Sequence, residues 1–357
     1  MGPKGTELRA ADGVRIEAAY TPYAAPRPGE DPHTGKGACA ADGGADPGAI
    51  VLAHGFTGAL DKPALRRAAT AFSQHAAVVT FSFRGHGRSG GHSTVGDREV
   101  LDLAAAVAWA RSLGHRRVAT IGFSMGGSVV LRHGALYRPD ATGGYTPSTP
   151  DPVMHGGRTV ARTGNGERAG EGREAEPAGA HADAHADAVV AVSAPARWYY
   201  RGTAPMRRLH WAIQHPLGRL VSRYGLRTRV HHRDWNPVPL SPVAAAELIA
   251  PAPLLVVHGD QDPYFPLDHP LSLARAAGPE ACELWIETDF GHAENSAEPA
   301  LLHRIGDWTA TRIHATAARP HHGSRDSAAG TDSTDGTGSP PEPGAPGGAD
   351  RTEGTDG

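Results

Sequence analysis

Apolar residues follow two rhythms along this chain. Continuous short runs at 49–54, 78–83, 118–123, 188–192, 254–257 and 284–286 predict strands buried on both faces. Between them, 63–75, 97–112, 125–137 and 298–314 carry apolar positions at helical spacing, most clearly Val100, Leu103, Val107 and Ala110. Ahead of these, 6–20 reads as a hairpin whose alternating runs meet at Asp12 and Gly13, a tight-turn pair. Strands alternating with helices imply an α/β fold, a mostly parallel central sheet with helices on both faces. Residues 196–250 interrupt the alternation and read as a small cap.

Three stretches carry neither rhythm. Residues 21–48 are rich in Pro, Gly, Ala and Asp, 139–187 hold almost no large apolar group, and 318–357 are of low complexity. Such segments cannot bury enough apolar surface to offset the entropy of ordering. The expected division is therefore 1–48 as hairpin and flexible loop, 49–138 with 188–317 as the core, 139–187 as a disordered insert and 318–357 as a disordered tail. Composition agrees: of 357 residues, 39% are hydrophobic, with Gly 46 and Pro 30 diluting the core. A formal charge of −3 gives no global field to attract nucleic acid. Cys39 and Cys282 form no framework and read as free thiols. The N-terminus lacks a secretory apolar stretch, and no run reaches the ~18 residues of a membrane span. The expectation is a cytoplasmic protein with no transmembrane segment.

The strongest chemical signal is Gly122-Phe123-Ser124-Met125-Gly126, which ends one apolar run and opens a helix. A serine there sits on a sharp turn with its hydroxyl lifted above the sheet, and side chains at the flanking glycines would collide. Serine needs a base and an orienting acid. His292, in Phe290-Gly291-His292-Ala293, and Asp262, in His258-Gly259-Asp260-Gln261-Asp262-Pro263, each follow a strand, in the order the turn requires. Asp260 is the rival acid, but Pro263 biases Asp262 toward an extended backbone and stiffens its loop. His54 precedes the serine, so its ring reads as structural and the turn after it as half of an oxyanion hole. The backbone N–H groups of Phe56 and Met125 are the candidate donors.

These residues carry a family resemblance. His54 to Gly58, Phe83-Arg84-Gly85-His86-Gly87-Arg88-Ser89, Gly122 to Gly127, His258 to Pro263 and Gly291-His292 resemble α/β-hydrolases. The likeness is to small esterases, monoacylglycerol lipases and serine aminopeptidase-like hydrolases, over about 49–137 and 188–315. It implies an α/β-hydrolase fold and a Ser124-Asp262-His292 triad, the acid being the second of two in a Gly-Asp-x-Asp turn. In that family an aspartate normally precedes the 84–89 turn; here Ser82 stands in its place. Gly-Phe-Ser-Met-Gly-Gly is also similar to cofactor-free haloperoxidases, which are serine perhydrolases.

The cap adds a basic signal. From 197 to 234 nine arginines face a single acid, Asp234, with tryptophans and tyrosines interleaved. Met206, Leu209, Ile213, Leu217 and Leu220 fall near helical spacing, interrupted by Pro216. In one reading the apolar stripe packs on the core and the arginines are solvated. In the other the cap is a basic, aromatic-walled entrance for an anionic acyl substrate or a lipid surface, with Trp198, Tyr199, Arg207 and Arg208 as substrate contacts. The alternating His181, Asp183, His185 and Asp187 read as a low-complexity repeat rather than a metal site, and Arg84, His86 and Arg88 as residues that fix their turn.

The expected function is a serine hydrolase that cleaves a carboxylic ester through an acyl-enzyme, with no metal or organic cofactor. Acyl transfer or perhydrolysis on the same triad, and a non-catalytic binding module, are the alternatives. The partner expected is a small-molecule acyl substrate, anionic or lipid-like if the cap selects it, with no nucleic acid; no oligomeric state is specified.

Overall fold

The computed structural model describes residues 4–24, 46–138 and 184–315. The loop expected over 21–48, the insert and the tail lie outside the described residues, except at 21–24, 46–48 and 184–187. Eight strands form one sheet: β1 (Lys4–Arg9), β2 (Arg15–Thr21), β3 (Ala49–Ala53), β4 (Ala77–Phe81), β5 (Val118–Phe123), β6 (Ala188–Val192), β7 (Leu254–Gly259) and β8 (Cys282–Glu287). Their order is β1-β2-β4-β3-β5-β6-β7-β8. Strand β2 runs antiparallel to both neighbours, while every pair from β4 to β8 is parallel.

The continuous apolar runs are explained by layers on both faces. In β3, Ala49, Val51 and Ala53 point into one core cluster, and Ile50 and Leu52 into the other. The first cluster is filled largely from α2 (Glu99–Ser112) and α3 (Met125–Leu136), the second from α1 (Pro63–Phe72) and the helix Pro299–Ala315. Strand β8 departs from the expected buried run. It is the sheet's edge, and Cys282 is half-buried, with its thiol pushed up by burial to about 11.

The segment between β6 and β7 holds α4 (Ala204–Gln214), α5 (Pro216–Tyr224) and α6 (Pro242–Ala246). Pro216 separates α4 from α5 and begins the second helix, where its missing N–H has no partner to lose. After β7, α7 (Asp268–Ala277) has no counterpart in the sequence reading; its Pro270 lies in the first turn, which tolerates proline. Residues 184–187, assigned by composition to the insert, are packed against the fold: Asp187 is buried, bonds Arg111 and Arg117, and accepts from the Val118 N–H. His181 and Asp183 lie outside the described residues.

Candidate active site

At the end of β5 the chain reverses into α3 through Ser124, whose φ of 52° and ψ of −113° lie outside the regions open to ordinary residues. The flanking glycines permit the turn by close approach. A Cβ on Gly122 would lie 2.2 Å from the Gly126 carbonyl oxygen, and one on Gly126 would lie 2.2 Å from that of Ala53. Left-handed backbone recurs around this edge, at Thr57, Ser193 and Ala293. The Ala293 N–H donates to Ser193 Oγ at 3.0 Å, so two of the strained residues hold each other.

The loops after β7 and β8 bring Asp262 and His292 to the same place. His292 Nε2 lies 2.9 Å from Ser124 Oγ, and its Nδ1 lies 2.7 Å from Asp262 Oδ2. Asp262 Oδ1 accepts the N–H groups of Tyr264 and Phe265 at 2.8 and 3.1 Å, which leaves Oδ2 for the imidazole. Burial alone would raise the Asp262 pKa, but the bond to and charge of His292, with those two N–H groups, bring it below the ordinary value. Asp260 instead accepts the Asp289 N–H at 2.9 Å. The Tyr264 ring covers His292, with centroids 4.3 Å apart.

The turn after β3 is braced from three sides. His54 Nδ1 donates to the Gly55 carbonyl at 2.7 Å while its Nε2 accepts the Phe83 N–H at 3.0 Å. His86 Nδ1 donates to the Arg84 carbonyl, and its Nε2 accepts the Thr57 N–H at 3.3 Å. Burial drives both rings neutral, His54 to about 3 and His86 to about 4, which fixes these tautomers. The third brace is Glu294, whose Oε1 accepts the Gly55 N–H at 3.3 Å; burial raises its pKa. With the Gly58 N–H bonded to the Gly55 carbonyl, Phe56 has the one N–H in 55–58 without a hydrogen-bond partner among the described residues, and the Met125 N–H, at the start of α3, likewise has none among them. An oxyanion hole needs two such backbone donors.

Comparison with known proteins agrees with this architecture. A family model for the alpha/beta hydrolase fold matches residues 48–163. An esterase of Pyrococcus furiosus superposes with a TM-score of 0.53 at 18% identity, covering 88% of this chain and 92% of its own. An alpha/beta hydrolase named GrgF from Penicillium sp. superposes with a TM-score of 0.54 at 16% identity, covering 88% and 100%. The chain has an α/β-hydrolase fold. No curated protein matches it in sequence. The family model and the superpositions agree on this fold.

Against the usual α/β-hydrolase pattern, the departure at Ser82 has a structural answer. Ser82 Oγ donates to Glu17 Oε1 at 2.7 Å and accepts the Leu60 N–H at 3.0 Å. Glu17, from β2, also accepts the backbone N–H and the Nε of Arg88. The carboxylate that steadies the 84–89 turn thus comes from a neighbouring strand. Arg84 is buried and bonded to Asp102 and Asp12, and their charge holds the guanidinium ionised. These residues fix the turn, as their positions suggested.

Three of the four cap residues expected at the substrate have partners within the cap. Trp198 and Tyr199 pack on Trp235 at centroid distances of 4.9 and 5.3 Å. Trp198 Nε1 donates to the carbonyls of Pro239 and Leu240. Arg207 donates to the carbonyls of Arg201 and Gly202, and Arg208 is exposed on α4. Sequence reasoning missed Glu294, Glu17 and Tyr264. The signal available for Glu294 was a lone acid two residues past the candidate base, a pattern too short to mean anything without the fold. Among the described residues, no group of three or more His, Cys, Asp or Glu could hold a metal, and no helix is long and apolar enough to cross a membrane.

Proposed function

We propose that this chain is a serine hydrolase that cleaves a carboxylic ester through an acyl-enzyme. The reading rests on the continuous chain from Ser124 Oγ through His292 to Asp262, at 2.9 and 2.7 Å. His292 Nε2 accepts the Ser124 proton as Oγ attacks the substrate carbonyl carbon. The oxyanion that forms is held by the N–H groups of Phe56 and Met125. When the C–O bond to the leaving group breaks, the imidazolium returns that proton to the leaving alkoxide and an alcohol departs. Water then loses a proton to His292 as it attacks the acyl-enzyme. A second tetrahedral collapse frees the carboxylic acid and restores the Ser124 hydroxyl. Asp262 holds His292 in the Nδ1–H tautomer and stabilises the imidazolium. Tyr264, covering one face of the ring, limits its rotation and its contact with water.

The test is a fluorophosphonate probe followed by peptide mass analysis, with turnover of an activated short-chain ester measured in parallel. Ser124 should carry the adduct, and Ser124→Ala should lose both labelling and all but a thousandth of turnover while melting like the parent. Labelling at another serine, or retained turnover in Ser124→Ala, would refute the assignment.

A further inference from the structure

Helix α5 is built the wrong way round for a helix that packs on a core. Its large apolar residues Leu217, Leu220, Val221 and Tyr224 follow an i, i+3, i+4, i+7 spacing and so form one stripe. That stripe is exposed, at 61, 53, 59 and 72%. The positions that are buried are small, Gly218 and Ser222, one turn apart. Gly218 makes this inversion possible. A Cβ there would lie 2.5 Å from the Ala212 Cα, so α5 meets α4 along its small face at close range and turns its large residues outward. Trp211, on α4, is also 54% exposed. Of the two readings open from sequence, packing of the Leu217 and Leu220 stripe on the core is excluded by this arrangement.

Charge around the stripe narrows what could cover it. Arg223 and Arg227 are exposed within or just after α5, Arg208 is exposed on α4, and no acid occurs between Asp187 and Asp234. A second copy of this chain, docked by a two-fold contact, would set this arginine-rich face against itself. The chain's own tail is a poor cover, because 316–357 contains no Leu, Ile, Val, Met, Phe, Tyr or Trp. An apolar stripe bordered by arginines is complementary to a surface with an oily interior and negatively charged headgroups. We propose that the α4–α5 hairpin docks this protein on anionic lipid membranes, with the α5 stripe entering the headgroup–acyl boundary and the arginines meeting lipid phosphates.

The hairpin is fastened beside the candidate site at both ends. Thr203 Oγ1, at the entry to α4, donates to the carbonyl of Tyr264, whose ring covers His292. After α5, Val230 bridges to Ser93, and the Arg229 N–H donates to the Gly85 carbonyl. Docking would therefore hold the carboxyl edge of the sheet close to the membrane. The proposal stands on the cap surface alone and does not depend on the ester reading.

The experiment is co-sedimentation of the full chain with vesicles of phosphatidylcholine alone and of phosphatidylcholine with an equal part of phosphatidylglycerol, at low and high salt. The protein should pellet with the anionic vesicles, be released by salt and ignore phosphatidylcholine alone. Combining Leu220→Ser with Tyr224→Ser should reduce pelleting to background while melting temperature and soluble-ester turnover stay at parent values. Combining Arg223→Gln with Arg227→Gln should weaken partition onto anionic vesicles by about thirtyfold at low salt. Equal pelleting with both vesicle types, no pelleting with either, or light scattering that shows a dimer abolished by the serine variants would each overturn the proposal. Because vesicle binding is read without substrate, an inactive but membrane-bound protein would sink only the ester reading.

Discussion

Glu294 offers a sharp test of how the oxyanion loop is held. Its carboxylate touches no reacting atom in the proposed chemistry; it acts through Gly55, whose N–H it accepts at 3.3 Å. Glu294→Ala would leave that buried donor without a partner, a penalty of ~1–3 kcal/mol. If the loop relaxes to recover a partner, the adjacent Phe56 N–H loses its aim at the oxyanion. The fall in kcat is then roughly ten- to a hundredfold, with the ~10²–10³ of losing one donor outright as its ceiling. KM for a small soluble ester should hardly change, since the oxyanion contact forms only in the transition state. Glu294→Gln keeps an acceptor oxygen and should stay within a few fold of the parent. The assay is steady-state turnover of an activated ester, with inhibition by a trifluoromethyl ketone that mimics the tetrahedral adduct and a thermal melt of each variant. Inhibitor affinity should fall in parallel with kcat in the alanine variant. A parent-like kcat in Glu294→Ala, or a glutamine variant as impaired as alanine, would refute loop bracing as the role of this residue.

Two further outcomes follow from the same geometry. Asp262→Asn should lower turnover by about 10⁴ with little change in melting temperature, whereas Asp260→Asn, whose parent carboxylate bonds only the Asp289 N–H among its described partners, should lose stability and keep most turnover; the reverse result would exchange their roles. Acidification should destabilise the fold well above the carboxylate range. His54 at about 3, His86 at about 4 and His269 at about 4 stay unprotonated when folded, chiefly through burial, yet bind protons once unfolded below the ordinary histidine value of ~6.5. The unfolded state then carries more protons, so stability falls with pH from about 6.5 downward. A melting temperature flat between about pH 7 and 5 would contradict this, since the paired carboxylates Asp262 and Asp268, whose pKa values are lowered, are lost only at still lower pH.

The parallel sheet was readable because β3 to β7 are covered on both sides, and a strand with two buried faces must be continuously apolar. The Ser124 turn and the order of Asp262 and His292 were readable because each follows a strand end, where the fold concentrates chemistry. Glu294 and Glu17 were not, since their roles depend on which loop lies opposite them in space. The cap misled for a related reason. Helical spacing identifies a stripe but not the direction it faces, and only the contact of Gly218 with Ala212 shows that α5 turns its stripe outward. Ser82 is instructive in the same way, since a function moved to Glu17 on the adjoining strand looks, in one dimension, like a function lost.

The junction between Arg138 and Ala184 has an engineering consequence. Arg138 lies just past the C-terminus of α3, and Ala184 just before β6. Ser124 lies at the other end of α3, and β6 runs from this junction toward the edge where Asp262 and His292 gather. Whatever is spliced between 138 and 184 therefore joins at the sheet's amino edge, a full strand length from the chemistry and on the side away from the α4–α5 hairpin. A reporter domain or affinity handle inserted there should therefore leave turnover of an activated ester at the parent value.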